Sequence, residues 1–279
     1  MKKSIDLRLG IAVGILSLSA LSALSQTQEI RVFSHRGGRM EHDENTMAAF
    51  EASHKAGYTG YETDIRMTKD GELIVTHDSK LDRTTNGSGA VEEKTLAELR
   101  KLDTKKGNKM ITLDELMVFL KDKPGLYVEF EMKTNPESLY PEESLPGYVD
   151  KLYEKVMSNK PSDAEFLFTS SDTRALRCMQ RRHPDAELLL ITSEPVSKAT
   201  VALCKGLGIK RLGSKMEGTS REAVKYAHKQ GLTVSLWPGH TVEDFMLGAY
   251  LGADYLCTDI PIGQKAWAEK NAPWIKVRY

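Results

Sequence analysis

Net charge is what this sequence lacks: 39 Lys and Arg stand against 39 Asp and Glu over 279 residues. It therefore offers no electrostatic reason to expect nucleic acid and no polybasic patch for an anionic membrane surface. Cysteine is scarce as well. Cys178, Cys204 and Cys257 sit in apolar surroundings without ligand-like spacing, which favours buried free thiols over a zinc site, with one disulfide open to them in an oxidising compartment. Internal repeats, low-complexity tracts and linker-like stretches are also missing, so a single folded domain is expected. What remains, with 40% apolar and 28% charged residues, has the composition of an ordinary globular protein with a sizeable core.

A comfortable membrane span is missing too. The apolar run Ile11–Leu24 is short and Ser-rich; Lys2, Lys3 and Arg8 precede it, and Ala23-Leu24-Ser25 places small residues where a signal peptidase reads. Residues 1–25 read as a secretory signal cleaved before Gln26, with an uncleaved anchor as the alternative. Cleavage implies export across an inner membrane to the periplasm and no stable membrane association afterwards. That segment carries three basic residues and one acid, which leaves 36 basic against 38 acidic residues, a net of −2, in the domain spanning 26–279.

Short β-rich runs then alternate with helical periodicity: Ile30–Ser34, Gly60–Arg66, Leu126–Glu131, Glu165–Thr169, Glu187–Thr192, Ile209–Leu212, Thr233–Leu236 and Tyr255–Thr258. Amphipathic stretches separate them, such as those near Thr46–Lys55, Tyr148–Met157 and Asp172–Arg182. Eight such units predict an α/β fold, a TIM-type (β/α)8 barrel. The interval from about 67 to 125 is too long for one connection and predicts a small insertion after the second strand, overhanging the barrel mouth.

The segment from Phe33 to Asp78 holds four histidines, several carboxylates and a glycine pair, a polar density that is costly inside a fold unless the groups form a site. In a barrel, active sites lie at the carboxyl ends of the strands. His35 follows the first strand, Glu62 and Asp64 end the second, Glu131 and Lys133 end the third, and Trp237 ends the seventh. Strand alternation puts Glu62 with Asp64 on one face, and Glu129, Glu131 and Lys133 on another. Inward carboxylates need a cation, and three oxygen donors suit Ca²⁺ or Mg²⁺ better than zinc. His35 and His77 stay free for proton transfer, and Arg36 offers a fork suited to a phosphate oxygen.

These residues also carry a resemblance. "HRG" at His35–Gly37, "ENT" at Glu44–Thr46, "E-x-D" at Glu62–Asp64, "T-x-DG" at Thr68–Gly71, "HD" at His77–Asp78 with "L-x-RTT" after it, "E-x-K" at Glu131–Lys133 and "TD-x-P" at Thr258–Pro261 resemble the glycerophosphodiester phosphodiesterase family. The resemblance implies a metal-dependent phosphodiesterase that releases an alcohol and glycerol 3-phosphate from small glycerophosphodiesters. It implies Glu62, Asp64 and Glu131 as ligands of one divalent cation, His35 and His77 as the acid/base pair, and Arg36 and Lys133 as phosphate-binding groups. Two departures stand out: Asp43 where the family usually has proline, and Trp237-Pro238-Gly239-His240 where it usually has Trp-Thr.

Trp237 is expected to wall the alcohol. Glu44 reads either as a metal contact or as a first-turn acid with Asn45 capping the helix. Glu129 reads either as a further ligand or as a deeper residue paired with Arg or Lys. His42, His54, His183 and His228 read as solvated, and His240 stays open. Because the loop Arg83–Gly89 is polar, the cleft is expected to lack the aliphatic lining that acyl chains require. The competing readings are a phospholipase D-like enzyme acting on lysolipids and a non-catalytic phosphodiester-binding protein.

Overall fold

The computed structural model describes residues 29–279; the signal expected over residues 1–25 lies outside them. Eight parallel strands follow one another around the sheet: β1 (Ile30–His35), β2 (Gly60–Met67), β4 (Tyr127–Met132), β5 (Glu165–Ser170), β6 (Leu188–Pro195), β7 (Arg211–Lys215), β8 (Thr233–Gly239) and β9 (Tyr255–Thr258). β1 pairs with both β2 and β9, which closes the barrel. Two short strands lie outside the ring. β3 (Leu73–Val75) runs antiparallel to β2, and β10 (Val277–Arg278) adds to the start of β1.

Helices α1 (Met47–Lys55), α4 (Leu145–Met157), α5 (Thr173–Arg182), α6 (Lys198–Gly206), α7 (Arg221–Lys229), α8 (Val242–Leu251) and α9 (Pro261–Asn271) form most of the outer layer. Their buried faces, with the outward faces of the strands, make the main apolar core. Asp172, Ser197, Ser220 and Thr241 start four of these helices by accepting a bond from a first-turn N–H. α1 is capped by Thr46 and not by Asn45, whose side chain is needed elsewhere. Among the described residues no helix is long and apolar enough to cross a membrane.

The eight expected strands are the eight found, with shifted ends. The sixth of them, β7, begins at Arg211 and not at Ile209, because the Ile209 N–H still bonds Cys204 O to finish α6 while Gly208 turns the chain at φ +72°. The extra material after β2 is also shorter than expected. Helix α3 (Leu113–Leu120) falls inside the expected insertion, yet its Leu113, Leu116, Met117 and Leu120 are buried in the main core as the crossover to β4. What precedes it, including helix α2 (Leu96–Leu99), packs around a small cluster of its own formed by Ile74, Leu81, Val91, Leu99 and Met110.

The barrel interior is closed at the end where the strands begin. Tyr127 and Tyr255 stack with ring centres 4.7 Å apart, Arg31 lies over Tyr127 at 5.2 Å, and Arg211 lies over Tyr255 at 5.8 Å. At the other end, where the strands finish, the interior opens into a cavity. All three cysteines are buried and free.

Candidate active site

Strand register places the site. His35 on β1 pairs with Glu62 on β2, Glu62 with Glu129 on β4, and Asp64 with Glu131. Since side chains alternate along each strand, these pairings bring Glu62, Asp64 and Glu131 to one side of the mouth. One carboxylate oxygen from each lies within 4.8 Å of the others. His77 follows β3 and is held by the buried Arg66, whose Nε donates to the His77 carbonyl at 2.9 Å and whose Nη1 donates to that of Lys133 at 3.1 Å.

Every second oxygen of the buried pair has a protein partner. Asp64 Oδ2 accepts from Asn45 Nδ2 at 2.8 Å and lies 3.2 Å from Arg36 Nε, and Glu62 Oε2 accepts from the Arg36 backbone N–H at 3.1 Å. Glu62 Oε1 and Asp64 Oδ1 are buried and have no hydrogen bond. Lys133 Nζ donates to Glu131 Oε1 at 2.8 Å and stands 3.8 Å from Asp64 Oδ1. Burial and the charge of Asp64 push the Glu62 carboxyl well above its ordinary pKa. Burial also disfavours charge on Asp64, but Arg36, His77 and Lys133 outweigh it and hold that carboxyl low. Two buried carboxylate oxygens that accept no hydrogen bond, beside a third carboxylate, fit a hard divalent cation. His35, Glu62 and Cys257 form a second close group. It fits less well, because His35 is already engaged and burial pushes the Cys257 thiol up.

Both proposed acid/base histidines are oriented by a carboxylate on Nδ1, which leaves Nε2 as the working nitrogen. His35 Nδ1 is 2.5 Å from Asp259 Oδ1, and its Nε2 stands 3.7 Å from Glu62 Oε2. His77 Nδ1 is 2.6 Å from Asp78 Oδ1. Burial and the Arg36 charge hold the His35 imidazole below its ordinary pKa, against the pull of Asp259. Burial alone would raise Asp259, but bonds from His35 and Arg39 keep it at about 2. The HRG turn puts Arg36 at φ +53° and Gly37 at φ +77°, with α1 so close that a Cβ on Gly37 would lie 2.7 Å from that of Ala49.

All the residues singled out from sequence, except Asp64, line one cavity of about 290 Å³: His35, Arg36, Glu62, His77, Glu131, Lys133 and Trp237. Asp64 lies just behind it, in contact with Arg36 and Lys133. The far wall departs from expectation. Phe33, Leu189, Ile191 and Cys257 join Trp237 there, so the lining is partly apolar; it comes from inward faces of the barrel strands and not from the polar insertion. A second, more polar groove of about 390 Å³ adjoins it past His77, lined by Asp78, Lys80 and Asn135 among others.

Of the remaining candidates, Glu129 borders the same cavity and the others lie outside its lining. Glu44 bonds Arg36 and Arg83, and Glu129 accepts from the Tyr127 hydroxyl at 2.5 Å, where an Arg or Lys partner was the expected alternative to a metal. Burial raises Glu129 to about 7. His54 sits against Tyr58 and Tyr61, His183 against Asp150 with its ring stacked on Tyr153, and His228 against Asp254, so these three are tied into the structure and not merely solvated. His42 lies in the β1–α1 loop beside a surface pocket. His240 Nδ1 bonds the other oxygen of Asp259. Asp259, Arg66, Asn45 and Arg83 carried no site role from sequence. Asp259 and Arg83 stand within recognised motifs, whereas Arg66 gave no signal. Asp43 accepts from Thr104 Oγ1, Lys106 N and Asn108 Nδ2, so the acid standing in place of proline ties the β1–α1 loop to the insertion.

Residues 35–262 match the glycerophosphoryl diester phosphodiesterase family. A glycerophosphodiester phosphodiesterase of Caldanaerobacter subterraneus subsp. tengcongensis is 30% identical over 246 residues, covering 82% of this chain and 94% of that protein. One from Bacillus altitudinis is 28% identical over 242 residues, covering 83% and 95%. The solved structure of an Oleispira antarctica phosphodiesterase in complex with the product sn-glycerol-3-phosphate shares the fold at a TM-score of 0.78 and 22% identity, over 86% of this chain and 97% of that one. With the family matched from the end of β1 past the last barrel strand, the chain belongs to the glycerophosphoryl diester phosphodiesterase family and is a phosphoric diester hydrolase.

Proposed function

We propose that the protein hydrolyses small glycerophosphodiesters to an alcohol and glycerol 3-phosphate, with one divalent cation, Ca²⁺ or Mg²⁺, held by Glu62, Asp64 and Glu131. The observation that carries this reading is the pair of buried oxygens on Glu62 and Asp64 that accept no hydrogen bond, beside Glu131 and a cavity that two carboxylate-oriented histidines border. A cation bound there supplies Lewis-acid stabilisation of the charge that builds on the phosphate. Arg36 and Lys133 orient the diester and share that charge. Water adds to phosphorus as the bond to the alcohol breaks, directly or after the neighbouring glycerol hydroxyl has closed a cyclic phosphate; one of His35 and His77 takes the proton of the attacking oxygen, and the other protonates the departing alcohol. The product bound by the Oleispira antarctica protein supports glycerol 3-phosphate as the retained half. The sequence of residues 1–25 supports export, with this chemistry acting in the periplasm.

The apolar wall of Phe33, Leu189, Ile191 and Trp237 favours one competing reading, a lysolipid-cleaving phospholipase D-like enzyme. Glycerophosphocholine, glycerophosphoethanolamine, glycerophosphoglycerol and micellar lysophosphatidylcholine are to be compared with the protein lacking residues 1–25, with coupled detection of glycerol 3-phosphate for the soluble diesters and lipid chromatography of lysophosphatidic acid for the lysolipid. The soluble diesters are expected to turn over faster, and intact diacyl lipids hardly at all, since a cavity of about 290 Å³ leaves no space for two acyl chains. Faster cleavage of the lysolipid would transfer the assignment to the phospholipase reading.

A further inference from the structure

We infer that Arg83, on the insertion, is a positioning residue that fixes His77 and Arg36 relative to one another. Its Nε donates to Asp78 Oδ2 at 2.5 Å, and its Nη1 and Nη2 donate to the two oxygens of Glu44 at 2.8 and 2.7 Å. Each carboxylate passes the constraint inward. Asp78 holds His77 Nδ1 through its other oxygen, and Glu44 Oε1 accepts from Arg36 Nη1 at 3.0 Å. Arg36 in turn lies 3.2 Å from Asp64 Oδ2. One guanidinium thus bridges two loops, one carrying a proton-transfer histidine and the other a phosphate-binding arginine. The inference rests on those two roles.

Only a planar fork serves this geometry. Three N–H groups in one plane reach two carboxylates at once, whereas the point charge of lysine cannot satisfy both. The arrangement is not needed to keep the insertion in place. Asp43 binds the 104–108 segment with three bonds, and the cluster around Leu81 and Leu99 anchors the rest. The Arg83 side chain is 48% exposed, and ion pairs that exposed add little to stability. Function and stability should therefore separate when it is removed.

The test compares Arg83→Ala, Arg83→Lys, Asp78→Asn and the Arg83→Ala/Asp78→Asn double variant in the full chain lacking residues 1–25. Arg83→Ala is expected to lower kcat on glycerophosphocholine by about 10–100-fold, the scale of a misplaced reacting group, with KM within about twofold and Tm within about 3 °C of wild type. Arg83→Lys should recover little, and millimolar guanidinium should restore part of the Arg83→Ala rate. The loss in the double variant should be smaller than the product of the two single losses, because both share the Asp78 link. The imidazole ¹H–¹⁵N spectrum supplies a reading independent of turnover: the His77 signals should move in Arg83→Ala while those of His35 stay. Unchanged kcat and an unchanged His77 spectrum in Arg83→Ala, multiplying losses in the double variant, or a loss of activity that follows a loss of Tm would each overturn the inference. If the wild type cleaved no glycerophosphodiester while the His77 signals moved, the proposed function would fail and the positioning role would stand.

Discussion

Replacing Glu62, Asp64 or Glu131 with alanine should abolish cation binding and turnover together. Supporting residues around a metal typically cost about 10–100-fold in affinity or activity, and loss of a donor from a set of three should exceed that. The cause lies in the buried oxygens: Glu62 Oε1 and Asp64 Oδ1 accept no hydrogen bond, and Asp64 Oδ1 has only the Lys133 ammonium 3.8 Å away. Stability should move in the opposite sense in the absence of cation. Glu62 is disfavoured as an anion by burial and by Asp64, so Glu62→Gln removes like-charge repulsion and should leave Tm unchanged or higher. The same variant should lose the rise in Tm that saturating Ca²⁺ or Mg²⁺ gives the wild type, a rise worth about 2.7 kcal/mol at a hundred times Kd. Calorimetric titration and thermal unfolding with and without cation check both halves. Full activity in excess chelator would remove the cation from the mechanism.

His35→Ala and His77→Ala should each lower turnover by about a hundredfold or more, the usual contribution of a positioned proton-transfer group. Cation affinity and Tm should stay near wild type, which separates these variants from those of the carboxylates. The expectation follows from shared geometry, since each imidazole gives Nδ1 to a carboxylate and borders the cavity that Glu62, Glu131 and Lys133 line. His42 lacks that geometry and faces a surface pocket beside Arg39 and Lys105. Steady-state kinetics of His42→Ala should therefore resemble wild type. A loss there as large as in either of the other two would reassign the pair.

Much of this arrangement was legible in the sequence because it follows from period and placement. Alternation along a strand decides that Glu62 and Asp64 share a face, and the barrel rule decides that the face ends at the mouth. What stayed hidden depends on contacts distant in sequence or on backbone geometry. Asp259 reaches His35 across 224 positions, and no local pattern announces such a bond. Asn45 resembled a helix cap in composition, but at φ +59° it turns its amide onto Asp64 and leaves the cap to Thr46. The apolar wall was missed because the lining was judged from the loop, while Leu189 and Ile191 come from the interior of β6. Arg83 looked like one more polar loop residue, since side-chain reach does not appear in composition.

The aromatic and guanidinium floor built by Tyr127, Tyr255, Arg31 and Arg211 turns the barrel into a blind alley. Whatever enters from the strand-end side must leave by the same door, past His77 and the insertion. Traffic through a single opening is sequential, and depth sets the order. The residues near the floor, such as Phe33 and Leu189, are thus the last that an entering molecule can reach.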